Sequence, residues 1–166
     1  MIDLGIILVT FVAVVFSLMA FIGAPYLPTR YKWAKQILTR IKLKEKDFLV
    51  DLGSGDGVIL ALAAKSGAKV LGYELNPFLV FLSRLRLLRY KKRAQVEMHN
   101  FWKVNLPKET TIIYVFSVER DKKKLEDYLK NQRQIIGHKI TVISFGLPLE
   151  IGKEIDQIGA ASLYSI

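Results

Sequence analysis

The sequence predicts an α/β fold in which a parallel sheet is covered by helices on both faces, preceded by one long apolar helix. Three observations predict this fold. Short apolar runs alternate with amphipathic segments after residue 46, as is typical of parallel strands joined by crossover helices. A glycine-rich turn at residues 51–57 directly follows the first of these runs. Near the N-terminus, 21 residues from Leu4 to Ala24 carry no charge.

The uncharged run from Leu4 to Ala24 is long enough to cross a lipid bilayer. A helix of that length rises ~30 Å, which matches the thickness of the hydrocarbon core. A cleaved signal peptide would have a basic segment before a shorter apolar run, whereas Asp3 is the one charge ahead of this run. A buried core helix is the other alternative. We therefore expect residues 1–28 to form a transmembrane anchor.

Basic residues that follow the run predict its orientation. The positive-inside rule places the domain after the run in the cytoplasm and the N-terminus outside, as a single-pass membrane protein. No Arg-rich leader precedes Leu4, which favours a prokaryotic plasma membrane, with a mitochondrial inner membrane as the alternative. The basic residues are Arg30, Lys32, Lys35, Arg40, Lys42, Lys44 and Lys46.

Residues 29–46 are predicted to form an amphipathic connector helix. Thr29 is a suitable N-cap, and apolar residues recur at helical spacing from Trp33 to Ile41. Two interpretations are open, and they are compatible with each other. The helix packs on the following domain with its lysines solvated, or it lies on anionic headgroups, where each cation contributes about 1 kcal/mol.

Residues 47–166 contain the elements of the predicted sheet. The helix that begins at Pro77 has the clearest start, because Asn76 suits an N-cap and proline suits the first helical position. The last stretch, 151–166, contains two glycines and predicts a terminal hairpin. Strands are predicted at 48–50, 69–74, 95–98, 111–116 and 139–145, and helices at 58–65, 77–90 and 121–134.

Composition argues against several kinds of site. The chain has 166 residues, no cysteine and two histidines, so a disulfide framework, a cysteine nucleophile and a histidine-based metal site are not expected. The net charge is +10. A basic cluster lies between Arg84 and Arg93, but Tyr90 is its one aromatic residue, so we expect a solvated or membrane-facing surface rather than a nucleic-acid site.

The chemistry is concentrated in the turn Asp51-Leu-Gly-Ser-Gly-Asp-Gly57, between the first strand and the next helix. Glycines allow positive φ and let the backbone approach a ligand closely. The N-terminus of the following helix offers free N–H groups to an anion. Glu74 closes the second strand, where a carboxylate binds ribose hydroxyls in doubly wound folds.

Two cofactors use such a turn, and the spacing separates them. A dinucleotide fingerprint needs its third glycine at position 58, which is Val58 here. Asp56 would also repel a pyrophosphate. The spacing instead favours S-adenosyl-L-methionine (SAM), whose amino group suits the carboxylates of Asp51 and Asp56. A nucleotide of the NAD type is the alternative.

On these residues the sequence resembles the class I SAM-dependent methyltransferases, which have a Rossmann-like sheet. More narrowly, it resembles the single-span protein-lysine N-methyltransferases that modify the ATP synthase c-subunit and the adenine nucleotide translocase, and their prokaryotic relatives. The resemblance covers nearly the whole chain. Besides the apolar span and the glycine turn, its motifs are Pro25-Tyr-Leu-Pro-Thr29, Gly72-Tyr-Glu-Leu-Asn-Pro-Phe-Leu-Val80, Ser83-Arg84 and Phe101-Trp-Lys-Val104.

The resemblance implies roles for the residues that match the family's motifs. The glycine turn would surround the methionine moiety, Glu74 would bind the ribose, Leu75 would contact the adenine, and Thr29 would lie near the amino-acid end. The family has Asp-Leu-Trp where this chain has Asn100-Phe-Trp, and an asparagine carbonyl can still accept from the adenine amino group. The implied cofactor-binding residues are Thr29, Asp51, Gly53, Ser54, Gly55, Asp56, Gly57, Glu74, Leu75, Asn100 and Phe101.

A second departure lies in the loop that faces the methyl acceptor. The family tends towards Phe-Gly-Val-Pro, and this chain has Phe116-Ser-Val-Glu119. Methyl transfer to lysine needs alignment and a desolvated pocket that favours the neutral amine. The candidate catalytic residues form two groups. The aromatic residues Tyr26, Trp102 and Phe116 could form the wall of the pocket, although an aromatic residue at the end of a strand is more often part of a core. Ser117 and Glu119 could orient the amine.

These observations together predict a membrane-anchored SAM-dependent methyltransferase. The expected acceptor is a lysine of a membrane-associated protein, so the expected partners are that protein and the lipid bilayer, with no metal. A small or lipidic acceptor is one alternative. A catalytically silent, membrane-tethered SAM-binding scaffold is another, because the altered loop at Ser117 lies where the acceptor would bind.

Overall fold

A computed structural model describes residues 3–22 and 31–166. Two predicted site residues, Tyr26 and Thr29, lie outside these ranges. The helices are α1 (Leu4–Ile22), α2 (Tyr31–Arg40), α3 (Val58–Lys65), α4 (Pro77–Leu87) and α5 (Lys122–Ile136). The strands are β1 (Phe48–Leu52), β2 (Lys69–Glu74), β3 (Ala94–Met98), β4 (Ile112–Phe116), β5 (Thr141–Phe145), β6 (Lys153–Ile158) and β7 (Ala161–Ser165).

All seven strands form one sheet in the order β3-β2-β1-β4-β5-β7-β6. Strands β1 to β5 are parallel, as the sequence predicts. The sheet as a whole is mixed, which corrects the expectation of a parallel sheet, because β7 is antiparallel to both β5 and β6. The predicted terminal hairpin forms β6 and β7. Its turn, with Gly159 at φ 60°, is far too short for the crossover that parallel strands require.

Helices cover both faces of the sheet. Helices α2, α3 and α4 pack on one face, which we call the α3 face. Helix α5 packs on the other, the α5 face. Side chains alternate between the faces along β4, so Ile112 and Tyr114 lie on the α3 face and Ile113 and Val115 on the α5 face. The two faces therefore hold separate apolar cores.

The connector helix packs on the domain, as in the first of the two interpretations above. Ala34 and Ile37 of α2 are fully buried in the core of the α3 face. At the end of the helix, Arg40 Nε lies 2.8 Å from Asp156 Oδ2 on β6. The apolar face of α2 is therefore used inside the protein.

The predicted membrane span is contradicted. Within residues 3–22 and 31–166, no helix is long and apolar enough to cross a membrane. We therefore do not retain the single-pass topology with an external N-terminus and a cytoplasmic catalytic domain, nor the bilayer as a partner.

Candidate functional site

The predicted site residues gather where the parallel strands end. The strand register pairs Tyr73 with Leu52, Leu52 with Val115, and Phe116 with Phe145. One residue further along, Glu74, Gly53, Phe116 and Phe145 form a row across four adjacent strands, which are spaced ~4.8 Å apart. We call the first part, Asp51–Gly57 with Glu74, the glycine half. The second part, Phe116–Glu119 with Phe145–Leu147, is the aromatic half.

The backbone of the glycine half has dihedral angles that residues with a Cβ rarely adopt. Gly53, Gly55 and Gly57 have φ values of 88°, 54° and 76°, in the left-handed region that favours glycine. A Cβ at Gly57 would overlap with Ser83 Oγ of α4, while a Cβ at Gly53 would have no atom within 4 Å. The turn therefore has open space at Gly53 and packs tightly against α4 at Gly57.

Glu74 is held by backbone amides. Its carboxylate accepts hydrogen bonds from the N–H groups of Gly55 (2.9 Å), Leu75 (2.7 Å) and Asn76 (2.8 Å). Asn76 caps α4, because its side chain accepts from the N–H of Phe78 at 3.0 Å. A carboxylate has about four acceptor positions, so Glu74 keeps capacity for a hydroxyl group of a ligand.

Two further carboxylates of the turn have different surroundings. Asp51 is 2% exposed, and burial, followed by the nearby charges of Glu74 and Asp56, raises its pKa well above the usual value. Asp56 forms an ion pair at 2.7 Å with Arg86 of α4. Of the two carboxylates predicted to meet an amino group, Asp56 therefore has a partner in the protein, and Asp51 is the one that a bound cation would stabilise.

The remaining predicted cofactor residues surround the glycine half. Ser54 is buried, and its Oγ has no hydrogen-bond partner within the described residues. Leu75 is half-buried. Asn100 Oδ1 accepts from the N–H of Trp102 at 3.1 Å, which leaves a second lone pair for another donor. Phe101 lies against Trp102, with ring centroids 4.4 Å apart and the ring planes tilted by 39°.

Trp102 is not brought together with Phe116. It packs on the α5 face, where its ring lies 5.7 Å from that of Tyr128 and beneath Lys124 Nζ at 4.4 Å. Phe116 follows the alternation of β4 onto the α3 face and lies against Phe145, with centroids 6.2 Å apart. Trp102 therefore has the surroundings of a core residue, while Phe116 stands at the end of the strand.

Ser117 is occupied by hydrogen bonds within the aromatic half. Its Oγ accepts from the N–H of Leu147 at 2.8 Å, and Ser144 Oγ also lies at 2.8 Å. The same hydroxyl lies 2.9 Å from the carbonyl oxygen of Leu147. It therefore ties the loop after β5 to the end of β4. Glu119 is exposed and begins the short 3₁₀ turn that leads to α5.

Sequence reasoning assigns no role in the site to three residues that the structure places here, although Ser83 belongs to one of the family motifs. Phe145 ends β5 beside Phe116, and an aromatic residue at the end of a predicted strand is the available signal. Ser83 and Arg86 reach the glycine turn from α4. They are three residues apart, which places them on one face of the helix, but nothing in the sequence indicates that this face meets the turn.

Comparison with known proteins identifies relatives. A sequence model described as the ANTKMT methyltransferase domain matches residues 51–151. The ATP synthase c-subunit lysine N-methyltransferase of Xenopus laevis is 34% identical over 112 residues, which cover 66% of this chain and 49% of that protein. The chain thus spans about half the length of that relative. A protein-lysine N-methyltransferase of Saccharolobus islandicus strain REY15A is 31% identical over 126 residues, which cover 71% of this chain and 78% of that protein.

Solved structures with the same fold include methyltransferases. An RNA methyltransferase from Salinibacter ruber, in complex with S-adenosyl-L-homocysteine, superposes with a TM-score of 0.68 at 23% identity, covering 84% of this chain and 94% of that one. The 23S rRNA methyltransferase ErmE gives a TM-score of 0.57 at 19% identity, covering 72% and 48%. The fold is therefore a Rossmann-like α/β methyltransferase fold with a mixed seven-stranded sheet.

Proposed function

Because this chain belongs to the family of the ANTKMT methyltransferase domain, we propose that it is a SAM-dependent protein-lysine N-methyltransferase. One observation carries the proposal: the glycine half places three left-handed glycines, the buried Asp51 and the amide-bound Glu74 at the ends of two adjacent strands. The protein-lysine acceptor is supported by relatives that bear that activity in their names.

The glycine half suits the chemical groups of SAM. Its ammonium group would stabilise the ionised form of the buried Asp51. The ribose hydroxyls would donate to the free acceptor positions of Glu74, and Leu75 and Asn100 would contact the adenine. Thr29, whose predicted place is at the amino-acid end, lies outside the described residues. When bound, SAM supplies a methyl group on a sulfonium, an activated leaving group, so the protein mainly has to align the acceptor and exclude water.

We assign the aromatic half to the acceptor amine. Phe116 and Phe145 form a half-buried apolar surface, and desolvation there lowers the pKa of an amine, which favours the neutral form that attacks. The exposed carboxylate of Glu119 attracts a lysine ammonium group and repels a phosphate, so it favours a protein acceptor over RNA. Tyr26 remains a proposed wall residue outside the described ranges.

Two other predicted catalytic residues take supporting roles in this proposal. Ser117 holds the loop after β5 through its hydroxyl group and so fixes the position of Phe145. Trp102 packs against α5 and supports the segment that carries Asn100. Residues 47–166 form the cofactor-binding domain in this proposal, with α2 packed upon it.

Methyl transfer from radiolabelled SAM into an extract of the source cells tests the proposal. Protein and lipid fractions are separated, and the protein is hydrolysed to identify the labelled amino acid. We expect methylated lysine with the wild-type chain and no label with Glu74→Ala, which cannot hold the ribose; circular dichroism checks its folding, because three backbone N–H groups lose their acceptor. Label in the lipid fraction or in small molecules would contradict a protein acceptor. S-adenosyl-L-homocysteine binding without any transfer would indicate the silent scaffold.

A further inference from the structure

Helix α4 contacts the glycine turn at two consecutive turn residues. Ser83, fully buried, lies directly beneath Gly57. One helical turn later, Arg86 Nη1 lies 2.7 Å from Asp56 Oδ2 and also donates at 2.7 Å to the backbone carbonyl oxygen of Asp56. A single guanidinium group therefore contacts both the side chain and the backbone of Asp56, which lies between Gly55 and Gly57.

The contact between Arg86 and Asp56 lies in the part of the glycine turn whose backbone has the most conformational freedom. Gly55 and Gly57, on either side of Asp56, both have positive φ, and glycine loses more conformational freedom on folding than any other residue. The Arg86 and Asp56 side chains are 39% and 21% exposed. Their attraction is partly screened by water, so its contribution to the free energy of unfolding is modest. Its geometric effect is larger, because an ion pair to the side chain and a hydrogen bond to the backbone of one residue together restrict the rotation of the turn.

The contact between Arg86 and Asp56 also gives the three carboxylates of the glycine half different surroundings. Asp51, Asp56 and Glu74 are close enough for the latter two to raise the pKa of Asp51. Glu74 is held by three amides, and Asp56 is paired with Arg86, whose positive charge offsets part of its effect. Asp51 is left as the buried carboxylate available to a cationic ligand. Without Arg86, the charge of Asp56 would add to the repulsion around Asp51 and would be free to turn towards the bound ligand.

We propose that Arg86 is a positioning residue for the cofactor, which acts through Asp56 to hold the glycine turn in the shape that receives the methionine moiety. This inference rests on the proposed function, since it assumes that SAM binds at the glycine half. It assigns to Arg86 no contact with the cofactor or with the reacting atoms.

The test compares Arg86→Gln with Arg84→Gln. Arg84 lies on the same helix, is exposed, and donates at 3.0 Å to the backbone carbonyl oxygen of Val96, away from the turn. We expect Arg86→Gln to raise the Kd for S-adenosyl-L-homocysteine and the KM for SAM about tenfold, consistent with the loss of a charge-assisted hydrogen bond. We expect kcat at saturating SAM to stay within about twofold of wild type, and Arg84→Gln to leave all three values unchanged.

Two further variants separate positioning from simple destabilisation. Arg86→Lys keeps the charge and one donor, so it should recover part of the affinity. Asp56→Asn combined with Arg86→Gln should bind no more weakly than Arg86→Gln alone, because the two residues act as one unit. Equal affinities of the Arg86→Gln and Arg84→Gln variants for S-adenosyl-L-homocysteine would overturn the inference. It would also be overturned if the double variant lost as much binding free energy as Asp56→Asn and Arg86→Gln lose separately, added together. Failure of the wild-type chain to bind S-adenosyl-L-homocysteine would instead overturn the proposed function.

Discussion

The glycine half and the aromatic half occupy the same edge of one sheet but are built by different means. In the glycine half the main chain shapes the site, because three left-handed glycines turn tightly beside three carboxylates, those of Asp51, Asp56 and Glu74. In the aromatic half side chains make the surface, and a serine hydroxyl network fixes the loop behind the Phe116 and Phe145 rings.

The difference follows from what each half has to recognise. A cofactor that is the same for every member of a family can be bound by a fixed backbone conformation. Few residues other than glycine can adopt that conformation. An acceptor differs between members of one fold, and side chains on loops can change without rebuilding the sheet. We therefore expect substitutions in the glycine half to affect cofactor binding and folding, and substitutions in the aromatic half to affect transfer.

The largest effect is expected for Gly57→Ala. Its Cβ would overlap with Ser83 Oγ and lie 3.2 Å from Ser83 Cα, so α4 would have to move. Overpacking and the positive φ together should cost about 3 kcal/mol of unfolding free energy. We expect a Tm lowered by roughly 10 °C and no measurable binding of S-adenosyl-L-homocysteine by calorimetry.

Gly53→Ala is the matched control for this substitution. Gly53 has a similar positive φ of 88°, but a Cβ there would have no atom within 4 Å. The variant should therefore lose only about 1 kcal/mol, from backbone strain alone. Equal losses of Tm in the two alanine variants would show that the contact between the turn and α4 is unimportant.

Ser117→Ala is expected to affect the aromatic half alone. It leaves the N–H of Leu147 without its acceptor, while Ser144 Oγ loses one partner and keeps the carbonyl oxygen of Leu147 at 2.8 Å. Leaving buried polar groups unpaired costs about 1–3 kcal/mol, and the freed loop should lower kcat for methyl transfer about tenfold. The Kd for S-adenosyl-L-homocysteine should stay within about twofold of wild type.

Ser83→Ala provides the comparison for a lost serine hydroxyl. Ser83 Oγ is buried and has no hydrogen-bond partner within the described residues, so its removal should leave Tm unchanged or slightly higher. If Ser117→Ala behaved like Ser83→Ala in thermal unfolding, the hydroxyl network would not be what holds the loop after β5.

The two halves also differ in how far the sequence predicts them. The spacing of the glycines and the position of Glu74 depend on backbone conformation and strand order, and both follow local rules. The five parallel strands and the capped start of α4 at Asn76 are predictable for the same reason. Local patterns are sufficient where one residue type is required at one position.

The rest depends on contacts between distant segments. Ser117 and Leu147 are 30 residues apart, and Arg86 and Asp56 are also 30 apart, so no local pattern links either pair. Trp102, a predicted wall residue, lies in the 3₁₀ turn after β3 and packs against Tyr128 of α5, a contact that no local pattern indicates. The prediction of a membrane span depends on apolar length alone, which the described helices do not support.

The ionisation of Asp51 is expected to have a smaller effect than Gly57→Ala or Ser117→Ala. Burial, Glu74 and Asp56 raise its pKa well above the ordinary value of 3.8, so the folded chain binds this proton more tightly than the unfolded chain. Stability from this group is therefore present at low pH and is lost as pH rises from about 4 through the raised pKa.

Asp51→Asn removes that dependence, and we expect its Tm at neutral pH to exceed that of the wild type by a few degrees. The same ionised carboxylate should attract the ammonium group of S-adenosyl-L-homocysteine, so the wild-type affinity should rise over this pH range while that of Asp51→Asn stays lower and flat. Thermal unfolding and calorimetry across the range measure both effects. An Asp51→Asn chain that is less stable than the wild type at neutral pH would mean that the buried carboxylate is compensated inside the protein. In that case the cation proposed for this position would not be what the glycine half requires.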